Sequence, residues 1–84
     1  MENVNMEIIE KVQTVLAEAL GVEAGDITPQ LAFGDLPEWD SMGHMEVMVS
    51  LEEQFGIEIN ADTISALLSV PVIVEHIQGM ADGA

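Results

Sequence analysis

Residues 40–56 read DSMGHMEVMVSLEEQFG, an acid at one end, a glycine at the other and apolar residues between them at spacings of three and four. That pattern predicts a helix from about Ser41 to Phe55, with Asp40 capping its start and Gly56 stopping it. At about 100° per residue from Ser41, Val47, Leu51, Phe55 and Met48 fall between roughly 240° and 340°, a single stripe aimed at a core. Met42, Met45 and Val49 form a second stripe at roughly 40° to 100°, bracketed by Glu52 on one side and by Glu46 and Glu53 on the other. One helix cannot direct both stripes at the same core. The second either packs beneath another segment or faces a partner.

Upstream, Ile8, Ile9, Val12, Val15, Leu16, Ala19 and Leu20 recur at helical spacing, which predicts a helix over 6–20 with Asn5 as its cap and Gly21 as its stop. Between the two helices, VEAGDITPQLAFGDLPEWD (22–40) holds two prolines and two glycines among scattered apolar residues. It has too many breakers for a helix and too little alternation for a strand. A loop of that length in a small domain is pinned by its own side chains, for which Ile27, Leu31, Phe33 and Leu36 are the candidates. Downstream, ADTISALL (61–68) predicts a short helix with Asp62 as cap. A last helix starts near Pro71, a residue suited to the first helical position, and ends by Gly79. The expectation is an all-α four-helix bundle with a short third helix, a long loop between the first and second helices and no strand. One domain over 6–78 would be flanked by flexible ends, 1–5 and 79–84.

Size and charge narrow the functions open to such a bundle. A chain of 84 residues buries only about 60 to 65% of its unfolded surface and cannot enclose a deep active site. At 49% hydrophobic and 20% charged, it belongs among folded domains. Sixteen Asp and Glu face one base, Lys11, for a formal net charge of −15. Nucleic acid and anionic membrane are poor partners for that field, whereas basic protein surfaces are attracted to it. The charge therefore favours a docking role for the second stripe, since exposed methionines adapt to several partners and the acids beside them select basic rims. No cysteine is present, so the chain has no disulfide and no thiol of its own. Neither a basic leader followed by an apolar run nor a stretch long enough to span a bilayer is seen, and a cytoplasmic protein is expected.

Ser41, beside the single tryptophan Trp39, is the remaining question. Most serines at helix starts do no more than bond locally. A serine nucleophile needs a base and an oxyanion hole, and the chain offers only His44 and His76 with no nucleophile-elbow pattern. Both histidines are expected on helix surfaces, Trp39 is expected to seal the bundle edge, and no catalytic residue is assigned. Metal ligation is not expected either, for want of an Asp-x-Asp-x-Asp-Gly loop or a His/Cys cluster.

The order of parts nevertheless resembles a known family, the phosphopantetheine-binding carrier proteins, and within it the acyl carrier proteins. The resemblance lies in a helix ending LG, a long loop with DITPQLAF and DL, then WDSM, then a helix closing SLEEQFGIEI, a short helix and a last one, covering roughly 6–78. It implies that Asp40-Ser41-Met42 is an attachment site and that Ser41 accepts 4'-phosphopantetheine, whose thiol would carry acyl groups. A phosphopantetheinyl transferase using coenzyme A and magnesium would load the arm. Acyl-transferring, condensing or ligase enzymes with basic surfaces would dock through Met42, Met45, Glu46, Val49, Glu52 and Glu53. A monomer that catalyses nothing, serving fatty-acid, polyketide or related biosynthesis, is the expectation. Met42-Gly43-His44 stands where Leu-Asp commonly follows the serine in fatty-acid synthesis, which points to a specialised pathway. D-alanyl and peptidyl or aminoacyl carriers are the alternatives within the family. Outside it, the alternative is an unmodified acidic interaction module.

Overall fold

The computed structural model describes the backbone of residues 3–83 and the side chains of 6–80. Four helices follow one another: α1 (Asn3–Leu20), α2 (Ser41–Phe55), α3 (Ala61–Ala66) and α4 (Val70–Gly83), with a single 3-10 turn (Ala24–Asp26) in the long loop. No strand is formed among the described residues. The nearest approach to one is an isolated antiparallel bridge between Ala32 and Ser69.

Helix α1 and α2 end where a glycine allows the chain to reverse. Gly21 and Gly56 both adopt φ of 72°, a left-handed conformation that costs glycine nothing. After Gly21 the N–H of Val22 donates back to the carbonyl of Ala17 at 3.0 Å, satisfying one of the carbonyls that a helix end leaves over. Other boundaries differ from the sequence reading. Asn5 is no cap, because α1 begins two residues before it. Asn60, not Asp62, caps α3: its side chain accepts from the N–H of Thr63 at 3.0 Å while Thr63 Oγ1 accepts from the N–H of Asn60 at 2.8 Å. Helix α4 runs through Gly79 to Gly83, since one interior glycine weakens a helix by only about 1 kcal/mol. The ends expected to be flexible fall partly outside the described residues. Within them, residues 3–5 and 79–83 are helical.

The core is filled from every segment except α3. Val12 and Leu16 come from α1, Val47, Met48 and Leu51 from α2, Val70 and Ile73 from α4, and Ile57 and Leu67 from the connections beside α3. The loop contributes Ile27, Leu31 and Trp39, which is why it can be long without being loose. Its backbone is tied down as well: Phe33 N–H donates to Leu68 O at 2.7 Å, Val70 N–H donates to Leu31 O at 2.8 Å, and the Gln13 side chain donates to Ile27 O. Leu36 is half-buried and Phe33 exposed. Phe55, read as a core residue, is only half-buried. It lies in the last turn of α2, where an open cleft lined by Glu7, Glu10, Lys11, Glu18 and Gln54 separates that helix from α1.

Candidate functional site

Asp40 stands in an extended conformation just before α2, and its Oδ1 accepts the N–H of Gly43 at 2.9 Å. The carbonyl of Asp40 accepts the first helical bond, from His44 N–H at 2.7 Å. The N–H groups of Ser41 and Met42 thus have no intrahelical acceptor, and the positive end of the helix dipole lies at the same place. Ser41 itself is exposed. Its hydroxyl makes no hydrogen bond among the described residues. A free hydroxyl beside two free amides at a helix start is a place to attach, and then to solvate, an anionic group.

The turn that bears this serine is held from behind. Trp39 is 0% exposed, so it does more than seal an edge; it is a central member of the core. Gly43 touches the loop so closely that a Cβ there would lie 2.1 Å from the carbonyl oxygen of Glu38 and 2.9 Å from Leu20 Cδ2. Only glycine lets α2 settle onto the loop at that point. His44, expected on the surface, is 5% exposed. Its Nδ1 accepts the indole N–H of Trp39 at 3.0 Å and its Nε2 faces the carbonyl of Ile64 at 2.8 Å. Phe33 stands edge-on to both rings, with centroids 5.5 Å from His44 and 6.4 Å from Trp39. With both ring nitrogens engaged, His44 has none left to take a proton from Ser41.

Sequence reasoning missed His44 and Gly43, although a signal for the first was available. The same helical count that defines the core stripe puts His44 at roughly 300°, in the middle of it. Gly43 gave no such signal, because the atom it makes room for belongs to the loop.

Along the rest of α2 the two stripes separate as geometry requires. Val47, Met48 and Leu51 are fully buried, whereas Met42 is 81% exposed and Met45 and Val49 are 46% exposed. Glu46, Glu52 and Glu53 are exposed around them. The loop does not cover this stripe: Ile27, Leu31 and Trp39 are spent in the core, and Phe33 is itself exposed. Asp40, Ser41, Met42, Met45, Glu46, Val49, Glu52 and Glu53 therefore share one accessible helix surface. The only base, Lys11, lines the cleft at the other end of α2, beside Phe55, and the described residues hold no group of three or more His, Asp or Glu able to bind a metal. No helix among them is long and apolar enough to cross a membrane.

The chain is similar to known proteins over most of its length. The family model for the phosphopantetheine attachment site matches residues 10–77. An acyl carrier protein of Rubrobacter xylanophilus is 34% identical over 71 residues, 84% of this chain and 88% of that protein. An acyl carrier protein of Helicobacter pylori strain G27 is 34% identical over 73 residues, 87% of this chain and 94% of that one. The same figures hold for the acyl carrier protein of Helicobacter pylori strain HPAG1.

Proposed function

The chain belongs to the phosphopantetheine-attachment family as an acyl carrier protein, and from that premise we propose that Ser41 is its acceptor residue. The observation that carries the assignment is the state of the hydroxyl: exposed, unbonded and seated at N1 of a capped helix. The other serines are less suited. Ser50 lies in the middle of α2 and is half-buried, Ser65 Oγ donates to Ala61 O at 2.8 Å, and Ser69 Oγ, just before α4, accepts from Val72 N–H at 3.3 Å.

The arm, when attached, supplies the thiol on which an acyl group is held as a thioester. This chain's part is to present it. Ser41 and Met42 offer backbone N–H groups to the phosphodiester, and the helix dipole favours its negative charge. Asp40 leaves those two donors available by taking only the N–H of Gly43. Its carboxylate and those of Glu38 and Glu46 oppose a second negative charge nearby, so stabilisation rests on the amides and not on cations.

Carriers of this family serve biosynthetic enzymes, and the finer assignments are ours. The chain catalyses nothing itself: both ring nitrogens of His44 are engaged elsewhere, and the proton of the Ser41 hydroxyl is taken by a phosphopantetheinyl transferase. Met42, Met45 and Val49 form the apolar centre of the docking surface, with Glu46, Glu52 and Glu53 selecting basic rims on acyl-transferring, condensing or ligase enzymes. It works as a cytoplasmic monomer, with 6–78 as the functional domain.

The test is intact mass after incubation with coenzyme A, magnesium and a broad-specificity transferase. Wild type should gain one phosphopantetheine and Ser41→Ala none. An unchanged wild type across several transferases would put the acidic interaction module ahead.

A further inference from the structure

Among the described residues His44 is the one buried polar side chain, the carrier function gives it no task, and the roles of its two nitrogens can be fixed from their partners. An indole nitrogen only donates and a carbonyl oxygen only accepts. With Trp39 Nε1–H on Nδ1 and Ile64 O on Nε2, the ring is neutral and its proton sits on Nε2. The bond to Ile64 has a further effect. That carbonyl lies in the last turn of α3, and the N–H that could have reached it, from Leu68, donates to Ala66 O at 2.9 Å instead. The histidine thus caps an orphan carbonyl of a neighbouring helix. Helix α3 is six residues long and has no fully buried side chain, so this cap, together with the half-buried Ile64 packed against the core, ties it down.

At the other nitrogen the tie runs to the serine. Trp39 is followed directly by Asp40 and Ser41, and its own backbone is locked by Trp39 N–H to Leu36 O at 3.0 Å and Gly34 N–H to Trp39 O at 3.1 Å. The imidazole therefore joins three things: the loop that delivers the serine, the helix that begins with it, and the end of α3.

We propose that His44, as the neutral Nε2–H tautomer bridging Trp39 and the Ile64 carbonyl, is a positioning residue for Ser41 that makes the placement of the acceptor turn and the closure of α3 depend on one another. The proposal rests on Ser41 being the acceptor. Coupling is reciprocal: whatever loosens α3 loosens the serine turn, and whatever grips the turn steadies α3. The ring touches no reacting atom and acts only through the backbone it holds.

Three substitutions in the full chain and one spectrum test this. Ring ¹⁵N NMR of wild type should show a proton on Nε2 and a bare, hydrogen-bonded Nδ1. His44→Leu keeps bulk but neither bond, and should lower transferase kcat/KM per folded molecule about tenfold, because small misplacements of a reacting group are costly. It should also speed hydrogen exchange of the Leu67 amide, which bonds to Thr63 O in the last turn of α3. His44→Gln, whose amide oxygen and nitrogen are spaced as the ring nitrogens are, should restore most of both. Trp39→Phe, which keeps an aromatic ring but removes the donor, should cut loading several-fold, and it carries the comparison with His44→Gln if His44→Leu does not fold. Loading of His44→Leu or Trp39→Phe at the wild-type rate per folded molecule, or a wild-type ring protonated at Nδ1, would overturn the proposal. A wild type that is never loaded overturns the assignment of Ser41 instead, and the spectrum and the Leu67 exchange still decide whether His44 ties α3.

Discussion

At its first turn α2 is fixed by a capping carboxylate, by a glycine pressed against the Glu38 carbonyl, and by the buried pair Trp39 and His44. Its last turn has the Gly56 reversal, with Gly56 N–H to Glu52 O at 2.9 Å, and a half-buried Phe55 beside an open, acid-lined cleft. One helix thus has a heavily determined end and a lightly determined one. The determined end is the one that carries the serine. A carrier must hold its attachment point in a fixed place for enzymes that meet it from solution, whereas the far end needs only to stop the helix and return the chain.

The sharpest way to break this contrast is to empty each end in turn. Trp39→Ala should cost about 3 to 5 kcal/mol, enough to unfold much of a domain whose total stability is of order 5 to 15 kcal/mol. Phe55→Ala, losing a side chain that is already partly in water, should cost about 1 to 2 kcal/mol. Chemical denaturation followed by circular dichroism measures both, and equal losses would abolish the distinction. Gly43→Ala comes next, at about 2 to 3 kcal/mol, because the loop carbonyl must move to admit a methyl group. A smaller penalty would mean that the loop yields easily and does not position the serine.

Asp40→Ala removes a cap and should destabilise by about 1 kcal/mol. Its melting transition should stay cooperative, with faster amide exchange at Gly43. Smallest in stability are Met45→Ala and Glu46→Lys, each expected within about half a kcal/mol, as exposed substitutions usually are. Their effects belong to docking. Met45→Ala should raise the dissociation rate of a partner complex, and Glu46→Lys should slow association most at low salt. Loss of stability at Met45 comparable to that at Trp39, with normal loading per folded molecule, would show that the second stripe serves packing.

How legible these two ends were in the sequence follows the same division. The bounds of α2 were plain from Asp40 and Gly56, which act on their own neighbours. Its two stripes were plain because helical periodicity is local too, and the burial of Ile27 and Leu31 followed from apolar residues in a loop too long to stand alone. What could not be read depends on residues far apart in the chain. The Ile64 carbonyl that accepts from His44 lies twenty residues away, and no composition or spacing names a backbone acceptor in another helix. Nothing in the sequence around Gly43 names the Glu38 carbonyl that would lie 2.1 Å from a Cβ there. Phe55 was overestimated because a helical wheel reports direction but not where the core ends. The 3-10 turn at Ala24–Asp26, held by Asp26 N–H to Glu23 O at 2.9 Å, is too short for periodicity to reveal.

The central claim is that the arm is attached where the helix start is held, at Ser41. Fragment mass spectrometry of the transferase-treated chain, after cleavage at glutamate, tests it most directly by locating the added phosphopantetheine. All of the added mass is expected on the fragment containing Asp40-Ser41-Met42 and, within it, on Ser41. Mass on Ser50, Ser65 or Ser69, or loading that survives in Ser41→Ala, would contradict it.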